Sequence, residues 1–326
     1  MLSRVAESIY WMARYVERVE NTARIMDANY HMILDLPAGV GEQWEPLVVT
    51  SGDDELFKEL YDQFNRENVV VFLTFDTRNP NSILSCLQMA RENARSVREW
   101  ISSEMWQQVN TFYLMVKAAS REKAVLELPH EFFVDIMLAS HLFVGLAENT
   151  MTHGEGWEFA RLGRMLERAD KTARIIDVKY FILLPSVDYV GMPYDHILWG
   201  ALLRSASAFE MYRKRYGQIV PDKIIDFLIL DNDFPRAIHH CLIAAEIALR
   251  NISGTSRGRF TNRAEKSLGR LLAELDYIQV EEIKGIGLHE FLDNTQTRLN
   301  QIGTAVAESF FSIPVLPTSN QSQAIE

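Results

Sequence analysis

Apolar residues recur at spacings of three and four along most of the chain. With Arg14 as origin and about 100° per residue, Met12, Val16, Val19, Ala23, Met26 and Tyr30 fall within about 40° of one direction. Leu162, Leu166, Ala169, Ala173, Ile176 and Tyr180 do the same. This is a helical period with no competing alternation. The stripe Ile83, Leu87, Ala90, Ala94, Val97, Ile101 and Met105 predicts one long helix over residues 80–117. Pro80 suits its first turn, where a missing N–H is harmless. Further helices are predicted over 130–151, 195–216, 234–252, 260–280 and 288–311. The short apolar runs Val69–Phe75 and Ile224–Leu230 read as short helices, because isolated strands would leave unpaired edges in an otherwise helical chain. Residues 37–52 read as a loop, and 314–326 as a polar, disordered tail. The fold class is all-α.

The pattern occurs twice. At an offset of 150, residues 13–34 fall on 163–184 with ten identities: Arg14/Arg164, Glu17/Glu167, Arg18/Arg168, Thr22/Thr172, Ala23/Ala173, Arg24/Arg174, Ile25/Ile175, Asp27/Asp177, Tyr30/Tyr180 and Leu34/Leu184. At an offset of 155, residues 69–90 fall on 224–245, matching at Asp76/Asp231, Pro80/Pro235 and Cys86/Cys241 among others. At 159, His130-Glu131-Phe132 falls on His289-Glu290-Phe291. Shared helical composition would match apolar positions, yet many matches are charged. The blocks also keep their order. The expectation is a helical bundle of two tandem duplicated halves related by a pseudo-two-fold: residues 1–152 and 153–313, together one compact domain.

Composition narrows the class without naming a chemistry. Of 326 residues, 48% are apolar and 24% charged, as in ordinary globular proteins. A formal charge of −11 argues against a general nucleic-acid binder, which needs a basic surface. Cys86 and Cys241 are too few for a disulfide framework or a zinc site and read as buried small hydrophobes. The opening residues show no clean signal-peptide core. No apolar run reads as the roughly 20 residues that span a bilayer. A cytoplasmic, reduced protein with no membrane partner is expected.

The sharpest candidate chemistry is a Glu-Arg pair in the first helix of each half. Tyr10, Arg14, Glu17, Asn21 and Arg24 share a stripe opposite the apolar one, with Arg18 beside it. The second half supplies Arg164, Glu167, Lys171 and Arg174, with Arg168 adjoining. Glu17 stands three residues from Arg14 and four from Asn21, which permits a ladder of bonds within the helix. The plain reading is a solvated face with weak surface pairs. Trp11 and Tyr15 widen the apolar girth, however, and a central arginine needs a partner or an anion. The sharper reading packs the two helices together. Arg14, Glu17, Arg18, Arg24, Arg164, Glu167, Arg168 and Arg174 then form a shared pocket that holds a carboxylate or phosphate through bidentate guanidinium contacts.

Secondary candidates are Arg91, Asn93 and Arg95, a snorkelling helix edge, a wall of the same pocket or a docking edge for an acidic partner. His153 and Glu155 lie in the glycine-containing linker Thr152–Trp157 and reach toward the seam. Standard catalytic signatures are missing. Neither His130-Glu131 nor His289-Glu290 has the second histidine of a zinc-protease helix, and no nucleophile elbow occurs. No metal site is predicted. A neighbouring arginine lowers a carboxylate's pKa, which suits ion pairing better than proton transfer for Glu17 and Glu167.

The opening block Met1-Leu2-Ser3-Arg4-Val5-Ala6-Glu7-Ser8-Ile9-Tyr10-Trp11-Met12-Ala13-Arg14-Tyr15-Val16-Glu17-Arg18 resembles that of the Alpha-E family. So do Ala90-Arg91-Glu92-Asn93-Ala94-Arg95, Glu155-Gly156-Trp157 and Asp233-Phe234-Pro235-Arg236. Ala237 departs from it, standing where the family pattern leads us to expect serine. The resemblance implies a bacterial all-helical domain whose members are encoded beside, or fused to, a circularly permuted ATP-grasp protein, often with a transglutaminase-like protease. ATP-grasp enzymes activate carboxylates as acyl phosphates and join them to amines. The implied role is therefore a helical partner subunit of a carboxylate–amine ligase in peptide or amide-bond formation. ATP and Mg would be bound by the partner, and no cofactor by this chain. Arg14, Arg18, Arg164 and Arg168 would hold the anionic substrate, and Glu17 and Glu167 would orient them or bind an amine. The alternative is a non-catalytic scaffold or interaction module with the Glu-Arg motifs as core ion pairs. An autonomous enzyme is not expected, and a homo-oligomer stays open.

Overall fold

A computed structural model describes residues 1–35, 44–121, 129–183 and 193–312. Helices account for its regular structure, and no strand occurs among the described residues. The first part of the chain forms α1 (Ser3–Asp35), α2 (Glu45–Ser51), α3 (Asp54–Leu60), α4 (Arg66–Thr74), α5 (Ile83–Ser96), α6 (Ser103–Ala119) and α7 (Pro129–Thr150). The rest forms α8 (Glu155–Leu183), α9 (Pro193–Ser205), α10 (Phe209–Tyr216), α11 (Pro221–Ile225), α12 (Ile238–Ser253), α13 (Arg263–Tyr277), α14 (Val280–Ile286) and α15 (Leu288–Val306). Short π-helical segments, Asp226–Leu230 and Ala307–Phe311, continue α11 and α15.

Two long helices occupy the centre. No residue of α1 from Ser8 to Ile33, and none of α8 from Gly156 to Asp177, is exposed. Met12, Val16, Val19, Ala23 and Met26 are buried, as are Leu162, Leu166, Ala169, Ala173 and Ile176. The opposite, polar stripe of α1 is buried too: Tyr10, Glu17, Asn21 and Arg24 all lie inside. α1 packs on α5, α7, α8 and α9, and α8 on α12 and α15. Contacts climb α1 and α8 together, from Tyr10 beside Gly163 through Arg14 on Glu167 to Glu17 on Arg168. The two helices therefore run in the same direction, at a register near the sequence offset of 150. The approach is close because Gly163 has no side chain. A Cβ there would stand 2.5 Å from the Tyr10 carbonyl oxygen.

Three boundaries differ from the sequence reading. The predicted helix over 80–117 is two helices. Val97 leaves helical geometry, and the Ser102 side chain accepts a hydrogen bond from the Met105 N–H to start α6. The apolar stripe crosses the break intact, with Val97, Ile101 and Met105 buried, so periodicity alone does not reveal it. The predicted helix over 195–216 breaks at Ser207, whose φ of 49° is left-handed. The predicted loop over 37–52 contains α2, with Pro46 in its first turn. Residues 36–43 and the predicted tail 314–326 lie outside the described residues. The two short apolar runs are helical, as expected. Among the described residues one helix, α7, is long and apolar enough to cross a membrane, and a third of its most apolar window is buried inside the molecule.

Candidate functional site

The Glu-Arg motifs meet across the α1–α8 interface and exchange partners. Arg18 donates from Nε to Glu167 Oε1 (2.7 Å) and from Nη2 to Glu167 Oε2 (3.2 Å). Arg168 donates from Nε to Glu17 Oε1 and from Nη2 to Glu17 Oε2, both at 2.8 Å. Each forked guanidinium thus grips the carboxylate of the other helix. Arg14 was expected to bond Glu17 on its own helix. It donates instead from Nε to Glu167 Oε2 (2.8 Å) and from Nη1 to Tyr10 Oη (3.1 Å). Both carboxylates are sealed, with side-chain exposures of 1% for Glu17 and 0% for Glu167. Burial works to raise the Glu167 pKa, but Arg18, Arg14 and Lys171 outweigh it and hold the carboxyl well below the usual range. Burial likewise opposes ionisation of Glu17, and Arg168 overcomes it.

A second layer comes from the two repeated loops. Arg236, in the loop before α12, donates to Asn21 Oδ1 (3.0 Å) and contacts Glu17 and Glu20. Its counterpart at offset 155 is Asn81, which accepts from Arg18 Nη1 (2.7 Å) and donates to Asp53 Oδ1 (2.8 Å). On the helices another matched pair differs, Asn21 in α1 corresponding at offset 150 to Lys171 in α8. Asn21 donates to Glu17 Oε1 (2.9 Å), whereas Lys171 Nζ stands 3.9 Å from Glu167 and 3.7 Å from Asp170. The outer arginines close the row. Arg24 bonds Glu20 and Ser207 and lies 2.9 Å from His141 Nε2. Arg174 bonds Asp170 (2.9 Å) and the Thr50 carbonyl (3.0 Å).

Arg164 breaks the pattern. Its counterpart Arg14 bonds Glu167 through Nε and Tyr10 through Nη1, but the contact of Arg164 is a 3.4 Å bond from Nη2 to Glu148 Oε1. Its buried Nε has no partner. The adjacent Arg168 has an Nη1 whose bond, to the Pro235 carbonyl, is equally long (3.4 Å). Burial first, and Arg168 next, push the Arg164 pKa down. Burial also pushes Lys171 down, and Arg236 to about 10. The centre is cation-rich. Arg14, Arg18, Arg24, Arg164, Arg168, Lys171, Arg174 and Arg236 stand against Glu17, Glu20, Glu167 and Asp170, with Glu148 reaching in from the surface.

The sequence matches the Alpha-E family, described as a predicted alpha-helical domain with a conserved ER motif, over residues 1–311. The chain belongs to the Alpha-E family. Uncharacterised proteins of Mycobacterium bovis and of two strains of Mycobacterium tuberculosis are each 20% identical to it over 338 residues, covering 95% of this chain. The Alpha-E chain spans 37% of the length of these relatives. No solved structure matches it.

The secondary candidates of this Alpha-E chain bond residues outside the Glu-Arg motifs, although His153 stands against Glu148, the partner of Arg164. Arg91 donates to Asn110 Oδ1 (2.7 Å) and stacks over Tyr113 and Trp106 of α6, while Arg95 pairs with Glu92 at the surface. Asn93 bonds the Met89 carbonyl of its own helix. His153 stacks on Trp157 and bonds the Glu148 carbonyl, and Glu155 pairs with the amino group of Met1 (2.7 Å). Cys86 and Cys241 are buried, with thiol pKa values pushed by burial to about 11 and about 12, so both are inert. Sequence reasoning did not select Glu20, Asn81, His141 or Arg236 as site residues. Arg236 and Asn81 were within reach, since both follow the proline of a repeated loop.

Proposed function

We propose that this Alpha-E chain is a non-ATP-binding helical partner of an ATP-grasp-type carboxylate–amine ligase, and that it seats an anion at Arg164 and the outer edge of Arg168. The observation that carries the seat is the buried, unpartnered Nε of Arg164, whose Nη2 makes only a long bond to Glu148, in a cation-rich centre. A buried charge with unfilled donors costs stability unless something completes it, and a planar guanidinium is matched by a carboxylate or phosphate. The partner role is supported by the family resemblance. It also fits the length of the mycobacterial relatives, in which the matching part is 37% of the chain.

The alternative, core ion pairs without a ligand, is favoured for Arg14 and Arg18. Their carboxylate partner Glu167 has no exposed surface left for a substrate. We further infer that the two halves descend from one ancestral unit. In support, contacts recur at matched positions: Arg18 on Glu167 and Arg168 on Glu17, His130 on Asp27 and His289 on Asp177, Cys86 on the Pro80 carbonyl and Cys241 on that of Pro235.

The test is co-purification with the neighbouring gene product, then ATP consumption with candidate acids and amines. Arg164→Ala should cut the joint turnover at least tenfold while the melting temperature holds or rises. Arg18→Ala should lower stability by about 3–5 kcal/mol, because it leaves Glu167 short of a cation. Parent-like turnover by Arg164→Ala removes the seat. Failure of the two proteins to associate removes the partner.

A further inference from the structure

Asp27 and His31 lie one turn apart on α1, and His130 opens α7 beside them. One ligand atom from each of the three lies within 4.8 Å of the others. His130 Nδ1 stands 2.6 Å and His31 Nδ1 3.7 Å from Asp27 Oδ1, and the two imidazole rings meet edge to face with centroids 4.8 Å apart. His31 Nδ1 is also 2.9 Å from the Asp27 carbonyl. That contact holds the ring beside Asp27 and His130. Asp27 and His31 line a cleft of about 350 Å³ that also contains Arg24, Arg204 and Ser207. Ser207 is the residue with left-handed backbone between α9 and α10. Such strain is tolerated where surrounding structure fixes it, commonly at functional sites.

The other half of the chain supplies an internal control. His289 Nδ1 lies 2.8 Å from Asp177 Oδ1, repeating the His130–Asp27 contact at matched positions. The histidine–aspartate pair alone is thus accounted for as a link between helices. The sequence places Phe181 at the position matching His31. His31 is therefore what the linking role leaves unexplained, and it converts a pair into a triad.

We propose that Asp27, His31 and His130 bind one divalent transition-metal ion of the zinc class, with positions left open at the wall of the Arg24–Ser207 cleft. Two imidazoles and one carboxylate suit zinc, cobalt or nickel and disfavour the all-oxygen preference of calcium and magnesium. Ligand bonds of roughly 2.0–2.2 Å fit three atoms this close after small side-chain rotations. Three protein ligands and an open position are the arrangement in which zinc polarises a bound water or carbonyl. This site is independent of the anion seat at Arg164.

The tag-free full chain, stripped with chelator, is titrated with zinc chloride by calorimetry and with cobalt chloride by visible absorption. One equivalent should bind, with a cobalt d–d band, and magnesium should not compete. His31→Phe, which copies the residue found in the second half, should weaken binding at least about tenfold, as should Asp27→Asn. His289→Ala should leave it unchanged. The proposal is overturned by a chain that takes up no stoichiometric zinc or cobalt. It is equally overturned if His31→Phe binds as tightly as the parent, or if His289→Ala weakens binding to the same extent.

Discussion

Glu167 is a single carboxylate with no exposed surface, neutralised by two guanidiniums from another helix and approached by Lys171. Removing its charge leaves Arg14 and Arg18 buried without a counterion, so Glu167→Gln should cost about 3–5 kcal/mol in denaturant unfolding. The pH dependence follows from the direction of its shift. Its folded pKa is depressed below an unfolded value of about 4.3. Its contribution is therefore complete well above that value and is lost progressively as the pH falls through it toward the folded pKa. Glu17 and Glu20 are depressed in the same sense and add to the loss. Parent stability should be level near neutrality and fall below about pH 4.5, and Glu167→Gln should fall less steeply. Parallel curves for the two proteins would show that Glu167 does not carry the acid transition. At this scale the sequence marked side chains that meet at the α1–α8 interface, and the ladder it permitted is half present: Asn21 bonds Glu17, whereas Arg14 bonds Glu167. Spacing along one helix favours Arg14 with Glu17, yet Glu167 across the interface is the buried acceptor left to be filled. Nothing local in the sequence ranks those two partners.

The start of α12 shows how one side chain sets an element. Position 237 is its N-cap, and Ala237 has no side chain to accept a backbone bond. At the matched start of α5, Ser82 accepts from the Ser85 N–H. The departure from the serine expected in the Alpha-E pattern is thus a missing helix cap. Ala237→Ser should stabilise the chain by about 0.5–1 kcal/mol through a bond from the His240 N–H. A lower melting temperature would mean that the buried hydroxyl finds no such bond. Caps also explain which boundaries were legible. Periodicity revealed the long helices because their apolar stripes face a continuous core. It passed through the break between α5 and α6 because Val97 and Ile101 stay buried across it. The Ser102 cap was present in the sequence at that break, but a serine inside an unbroken stripe carries too little weight to stop a helix. The turn at Ser207 had still less signal, since a left-handed backbone there comes without glycine or asparagine.

Across the whole molecule the ion pairs exchanged by α1 and α8 tie residues 1–152 to residues 153–312 at the deepest point of the fold. Other contacts cross the same boundary: α9 packs on α1, the ring of Phe311 meets Tyr10 at 5.3 Å, and Arg174 bonds the Thr50 carbonyl. The sequence repeat was readable because identical charged residues recur in the same order, at offsets that grow from 150 to 159. The interlocking of the halves was not readable, since a repeat is equally compatible with two beads on a string. The geometry favours interlocking. A separated first half would expose the α8-facing side of α1, including Tyr10 and Ala13, and would take Glu167 away from Arg14 and Arg18. A separated second half would leave Glu167 without both of them. Each half produced alone should therefore show weak helical circular dichroism and no cooperative melt. The two produced together should co-elute as one species of the size of the intact chain and melt as it does. A half that melts cooperatively by itself would make the central cluster a contact between finished domains, and the arginines there would then be free to have been selected for a ligand first.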